Sequence, residues 1–221
     1  YPVNLFFTRE AYFKKITPQS FRMSSEQYLK EGDEVIQHTE GSNTDHLLFF
    51  SDKGQVYKSR ACEFEDTKAS VLGDFVPAKL GMDEGENALY MAVTPDYEGY
   101  LLFFFENGKV AKVNLNAYAT KTNRRKLKAY SIKEKLSAIL CIREDCRILI
   151  SASNGRVLLL NTAMIPAKAT KDNQGVPVMK LTKGATVVCA EVYEEGSIEE
   201  EHHYIPKELP SRGDFLKMAQ V

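Results

Sequence analysis

The sequence predicts an all-β, propeller-like chain of about four blades, each a small antiparallel sheet. Three observations predict it: an apolar strand, turn, strand segment recurs four times, the turn falls at a fixed distance into each copy, and helical periodicity is sparse. The copies begin at Leu5, Leu48, Leu102 and Leu149 and align without gaps. Six residues past each leading leucine stand Ala11, Gly54, Gly108 and Gly155. Glycine there takes the positive φ that a two-residue hairpin turn needs. Eight past it stand Phe13, Val56, Val110 and Val157, and ten past it Lys15, Lys58, Lys112 and one exception, Leu159.

The starts are 43, 54 and 47 residues apart, near the roughly 40 to 50 of a propeller blade. Each hairpin is followed by a polar connection and a closing apolar strand: Val35-Ile36, Ala88 to Met91, Leu136 to Leu140 and Val187 to Cys189. These give blades at about 1–40, 45–93, 98–142 and 146–193. Ser24 to Lys30 and Thr120 to Tyr130 are expected as short helical turns. Phe103, Phe104 and Phe105 are expected in the core of a central strand. Residues 194–221 form an acidic C-terminal tail, expected to be mobile or strap-like, with Tyr204, Ile205, Phe215 and Leu216 as residues that can dock it on the first blade. An ordinary β-sandwich is the plain alternative.

With 43% hydrophobic and 27% charged residues in 221, the chain reads as soluble and folded. Its longest apolar run, Tyr100 to Phe105, is far below the roughly 20 residues of a membrane span, so no membrane partner is expected. Tyr1 opens neither with an initiator Met nor with a basic-then-apolar leader, as expected of an excised fragment. Cys62, Cys141, Cys146 and Cys189 lack paired Cys-x-x-Cys spacing, which points to a reducing cytoplasm. No P-loop, dinucleotide fingerprint or His-Glu-x-x-His motif occurs. His202-His203 supplies too few convergent ligands for a metal, and Asp83, Glu84 and Glu86 resemble a turn cluster. No catalytic residue, cofactor or metal is expected.

The 29 basic and 30 acidic residues nearly cancel, but they are not mixed. Lys109 to Lys135 holds nine basic residues against Glu134, and Glu191 to Glu201 holds six acids and no base. Further cations follow the hairpins: Lys14 and Lys15, Lys58 and Arg60, and Lys112. At equivalent repeat positions these are expected around one rim, where a belt of positive charge would follow a bent duplex through its phosphates. The candidate DNA-binding residues are therefore Lys121, Arg124, Arg125, Lys126, Lys128, Lys14, Lys15, Lys58, Arg60 and Lys112. Competing readings are a solvated basic loop and lysines that protect strand edges.

These residues resemble the C-terminal β-pinwheel domain of bacterial type IIA topoisomerase A subunits, those of DNA gyrase and topoisomerase IV. The likeness runs from Tyr1 to Tyr193. It is carried by the Leu-Phe-Phe-Thr/Ser hairpin with its Gly-x-Val-x-Lys continuation, by Phe13-Lys14-Lys15-Ile16-Thr17-Pro18, and by Asn173-Gln174-Gly175-Val176 with Met179-Lys180-Leu181. The resemblance implies a β-pinwheel with strands exchanged between neighbouring blades and a rim that binds and bends double-stranded DNA. It implies two protein partners, an ATPase B subunit together with the remainder of the A subunit, in the bacterial cytoplasm at the nucleoid. The parent would be an ATP-hydrolysing isomerase; this segment would be a non-catalytic wrapping domain that presents DNA to a gate elsewhere. Two departures stand out. No segment matches the gyrase box Gln-Arg-Arg-Gly-Gly-Lys-Gly; the nearest, Thr122-Asn123-Arg124-Arg125-Lys126-Leu127, lacks the glycines. Four blades are counted where the family commonly has five or six. The acidic tail is expected to compete with DNA for the basic rim. The alternative function is a propeller-like protein-interaction platform; a stand-alone enzyme has no motif to support it.

Overall fold

A computed structural model describes residues 1–122 and 124–217. Asn123, inside the segment likened to the gyrase box, and residues 218–221 of the acidic tail lie outside the described residues. The first repeat is the hairpin β1 (Pro2–Thr8) and β2 (Tyr12–Ile16), a helix α1 (Pro18–Met23) and the closing strand β3 (Val35–Ser42). The second is β4 (His46–Ser51) and β5 (Gln55–Arg60), a 3-10 turn Ala61–Glu63, the two-residue strands β6 (Asp66–Thr67) and β7 (Asp74–Phe75), helix α2 (Val76–Lys79) and β8 (Ala88–Thr94). The third is β9 (Tyr100–Phe105), β10 (Lys109–Asn114), a 3-10 turn Leu115–Tyr118, β11 (Lys126–Lys128) and β12 (Leu136–Ile142). The fourth is β13 (Arg147–Ala152), β14 (Arg156–Asn161), a 3-10 turn Thr162–Met164, β15 (Ala167–Lys168), β16 (Val176–Pro177) and β17 (Val187–Val192). A 3-10 turn Glu201–Tyr204 and β18 (Asp214–Phe215) follow.

These strands make four small sheets, the blades of a β-propeller fold, as the repeat predicts. Their orders are β3-β1-β2-β6 with β7 also on β2, β8-β4-β5-β11, β12-β9-β10-β15 with β16 also on β10, and β17-β13-β14-β18. One rule covers all four: closing strand, first hairpin strand, second hairpin strand, then a strand donated by a later segment. The donors of the first three sheets lie in the connection after the next hairpin, which is the blade-to-blade exchange the resemblance implies. The chain divides into two compact units, Tyr1–Tyr97 with Thr120–Ala129, and Glu98–Ala119 with Tyr130–Val221. The exchanged strand β11 is why residues 120–129 join the first unit.

The repeated Leu-Phe-Phe strands are central in their sheets and buried on both faces, so they read as continuous apolar runs and not as alternation. In the first unit Leu5, Phe7, Phe13, Leu47, Phe49 and Phe64 share one core, with the Phe13 and Phe49 rings edge-on at 5.8 Å. In the second, Leu102, Phe104, Ile148, Ile150, Leu158 and Leu160 do the same. The hairpin turns use the predicted position: Gly54, Gly108 and Gly155 have φ of 73, 87 and 88°. Ala11 takes φ 70° at the same place despite its methyl group.

Two helical expectations are corrected. The helix in the first connection is α1, where Pro18 sets φ and the Thr17 hydroxyl accepts from Ser20 N at 3.3 Å. Residues 24–30 are not helical: the Tyr28 amide donates to the Ala69 carbonyl and the Tyr28 carbonyl accepts from Lys14 Nζ. Residues 120–130 contain strand β11. The acidic segment docks on the fourth sheet, not on the first blade. Tyr204 is buried with Tyr193, Val157 and Leu159, and β18 pairs with β14, Phe215 opposite Arg156. Among the described residues no helix is long and apolar enough to cross a membrane.

Candidate nucleic-acid interface

Strand β11 decides where the basic segment goes. It pairs antiparallel with β5, Lys126 opposite Tyr57, Leu127 opposite Val56 and Lys128 opposite Gln55, and the Lys58 amide donates to the Arg125 carbonyl at 2.7 Å. Side chains alternate across a strand. Leu127 is buried, so Lys126 and Lys128 on either side of it face solvent. The same alternation in β5 puts Lys58 and Arg60 on one side, Lys58 half-buried and Arg60 exposed. Lys121 and Arg124 are exposed in the loop that leads in. Residues paired across the two strands share a face, so Lys126 and Lys128 stand on the face of Tyr57 and Gln55, and Lys58 and Arg60 on the other. The first unit thus gathers Lys58, Arg60, Lys121, Arg124, Arg125, Lys126 and Lys128 along one edge of its second sheet, on both faces.

The cluster is held by partners that the charge count did not reveal. The Arg125 guanidinium makes two hydrogen bonds to Glu63, at 2.7 and 3.1 Å, which holds its pKa above the ordinary arginine value. Lys126 Nζ lies 3.6 Å from the Asp83 carboxylate and 5.6 Å from the centre of the Tyr57 ring. Lys58 Nζ donates to Thr120 Oγ1 at 2.9 Å and lies 5.5 Å from the Tyr97 ring. Arg60 sits 3.4 Å from His46 Nε2. Burial, helped by Arg60 and Lys58, pushes the His46 pKa down. Beneath the strip, the buried Glu86 carboxylate accepts from the Ser51 hydroxyl, from Tyr57 OH at 2.6 Å and from the Asp83 amide at 3.0 Å. Burial alone would raise its pKa; those hydrogen bonds, with Lys126 nearby, hold it below the usual value. Burial and the bond to Glu86 push the Tyr57 phenol well above its own.

Lys14, Lys15 and Lys112 do not join the cluster. Lys14 is 1% exposed and its ammonium donates to the carbonyls of Tyr28, Ala69 and Val71 at 2.9 to 3.1 Å; burial pushes its pKa down. Lys15 donates to Asn43 Oδ1 and the Ala61 carbonyl and lies 3.2 Å from Asp66. Lys112 donates to Asp145 and the Thr162 carbonyl, with its Nζ 4.4 Å from the Tyr100 ring. Each of these ammonium groups is buried and bonded inside the fold, out of reach of a phosphate, so the expected rim of repeat lysines is corrected: these three are internal anchors. For Lys15 and Lys112 a signal was present: Leu159 occupies the same repeat position and packs with Tyr193 and Tyr204, although Lys58 at that position is only half-buried. The acidic segment is tied down by Arg147, which pairs with Glu195 and, at 2.8 Å, with Glu201. Among the described residues, no group of three or more His, Cys, Asp or Glu side chains is arranged to hold a metal.

The family model described as the DNA gyrase C-terminal domain, beta-propeller, matches residues 45–70 and 147–192, the second and fourth hairpins with their flanks. The resemblance read from the hairpins holds. Among curated relatives, the A subunit of a probable chloroplastic/mitochondrial DNA gyrase of rice (Oryza sativa subsp. japonica) is 24% identical over 200 residues, 85% of this chain and 21% of the relative. The A subunit of DNA topoisomerase 4 of Staphylococcus aureus is 26% identical over 167 residues, 73% of this chain and 21% of the relative. The chain therefore spans about a fifth of the length of these relatives. Among solved structures, the C-terminal domain of DNA topoisomerase IV superposes with a TM-score of 0.73 at 22% identity, covering 88% of this chain and 62% of that one. The E. coli ParC C-terminal domain gives 0.69 at 15% identity, covering 99% and 95%. At these identities the solved structures establish the fold. The sequence matches make the chain similar to a part of gyrase and topoisomerase IV A subunits.

Proposed function

We propose that this chain is a non-catalytic DNA-binding and DNA-bending or wrapping domain of a type II DNA topoisomerase, of gyrase or topoisomerase IV kind. The observation that carries the proposal is the pairing of β11 with β5, which brings Lys121, Arg124, Arg125, Lys126 and Lys128 to the sheet edge that also carries Lys58 and Arg60. The cluster binds phosphates without reading bases, as bending a duplex of any sequence requires. Bending itself, the two protein partners (an ATPase B subunit together with the remainder of the A subunit), and a place on the nucleoid in the bacterial cytoplasm come from the likeness to the A subunits of gyrase and topoisomerase IV. So does the isomerase activity of the parent enzyme.

Replacing Arg124, Arg125 and Lys126 together by alanine is expected to lower the slope of log affinity against log salt by about 2 to 3, at roughly 0.9 per phosphate contact. Band-shift titration of a duplex at several salt concentrations measures it. An unchanged slope removes this loop from the interface. Ligation of short DNA into minicircles in the presence of the domain tests bending and its handedness together.

A further inference from the structure

The exposed Arg124-Arg125 pair in the basic cluster is not uniformly available, because one of the two is already occupied. Arg125 holds Glu63 in a two-pronged contact, and Glu63 is the fixed member. It ends the 3-10 turn Ala61–Glu63 between two buried residues, Ala61, whose carbonyl accepts from Lys15 Nζ at 3.0 Å, and Phe64. Glu63 also lines a cleft of about 200 Å³ with Lys58, Lys79, Arg125, Tyr57 and Phe64, and it is the single acid among the described residues there. The turn does not need that acid. Fifteen residues past the leading leucine, the third and fourth repeats carry Ala117 and Met164 in their own 3-10 turns. Carboxylate and phosphate are bound by guanidinium through the same paired donors.

We propose that Glu63 is an internal stand-in for a DNA phosphate: it occupies Arg125 in the free protein and is exchanged for a backbone phosphate when duplex binds. The inference rests on the DNA-binding reading above. Its physical content is a competition. In forming its phosphate contact Arg125 gives up an ion pair of similar strength, and the released Glu63 then faces the duplex with a like charge. Glu63 would therefore weaken binding, keeping the domain's hold on DNA loose enough to release.

The test is Glu63→Gln in the full chain, titrated with a short duplex by fluorescence anisotropy from low to moderate salt. Glu63→Ala serves as a second variant, because alanine occupies the same turn position in the third repeat. Tightening of about two- to fivefold at low salt is expected, the range an exposed ion pair carries, with a salt slope steeper by about 0.9. Arg125→Ala added to Glu63→Gln should erase the gain. If the parent chain binds duplex in a salt-dependent way while both Glu63 variants bind equally or more weakly, the competition is wrong and the DNA reading stands. If the parent chain shows no salt-dependent affinity, both fall together.

Discussion

The first and second sheets are copies of one repeat in one compact unit, and both are rich in cations after the hairpin, yet they use them oppositely. In the first sheet Lys14 and Lys15 are turned inward and their ammonium groups tie the Tyr28, Ala61, Ala69 and Val71 carbonyls into place. In the second, Lys58 and Arg60 share an edge with Lys126 and Lys128, which flank the buried Leu127 and point to the other face. The difference lies in the donated strand. The first sheet receives Asp66–Thr67 and Asp74–Phe75, whose connecting loop folds its carbonyls over Lys14. The second receives Lys-Leu-Lys, a short alternating strand that buries only its middle residue. A lysine count is thus uninformative until the strand next door is known.

The comparison can be broken most directly with Lys14→Met. Removing the ammonium takes a donor from the Tyr28 and Val71 carbonyls and leaves the Ala69 carbonyl only the Tyr28 amide, and the variant should lose about 2–4 kcal/mol of unfolding free energy in urea titration while its folded fraction binds DNA normally. Arg124→Met in the second sheet should shift stability by less than about 0.5 kcal/mol and weaken DNA binding. The opposite pattern would return Lys14 to the interface.

A smaller effect sharpens the role of the donated strand. Gly73 leads into β7 with φ 95°, and a Cβ there would be driven into the Phe13 carbonyl and to 2.6 Å from Lys14 Cγ. Gly32, with φ 80°, has nothing within 4 Å. Both alanine variants suffer a left-handed backbone cost of about 1–2 kcal/mol. Gly73→Ala should be worse by at least about 1 kcal/mol, since backbone cannot step aside as a side chain can.

The smallest effect is a pH dependence in the second sheet. The folded pKa of Glu86 lies below its unfolded value, near 4.3 for a free glutamate. As pH falls, the unfolded chain takes up the proton first, so the contribution of Glu86 is complete above that range and is lost as pH drops through the folded pKa. Denaturant titrations between about pH 6 and 3 should show a stability loss that Glu86→Gln makes shallower, at a penalty of about 1 kcal/mol near neutrality. An unchanged acid limb would mean that other carboxylates set it.

The acidic segment shows what a sequence reading can miss while the signal is in plain view. Gly73-Asp74-Phe75 recurs as Gly213-Asp214-Phe215, and each triplet leads a strand onto a hairpin edge eight residues past the leading leucine: Asp74 opposite Phe13, Asp214 opposite Val157. A Cβ on either glycine meets the carbonyl of that same residue. The tail therefore fills, on the fourth sheet, the place that donated strands fill on the others. Its many acids suggested disorder, but Arg147 and the buried Tyr204 hold it down.

The four hairpins, their turn residues and the buried Leu-Phe-Phe strands of the first three were legible in the sequence, because glycine at positive φ and unbroken apolar runs are demands made by a residue's own neighbours. So were the basic segment and the topoisomerase likeness. It took the folded chain to show which cations meet solvent, that Glu63 and Asp83 stand among them, and which sheet takes which donated strand. Those outcomes depend on segments tens of residues apart coming together. No local pattern records whether an ammonium will find three carbonyls waiting or open water.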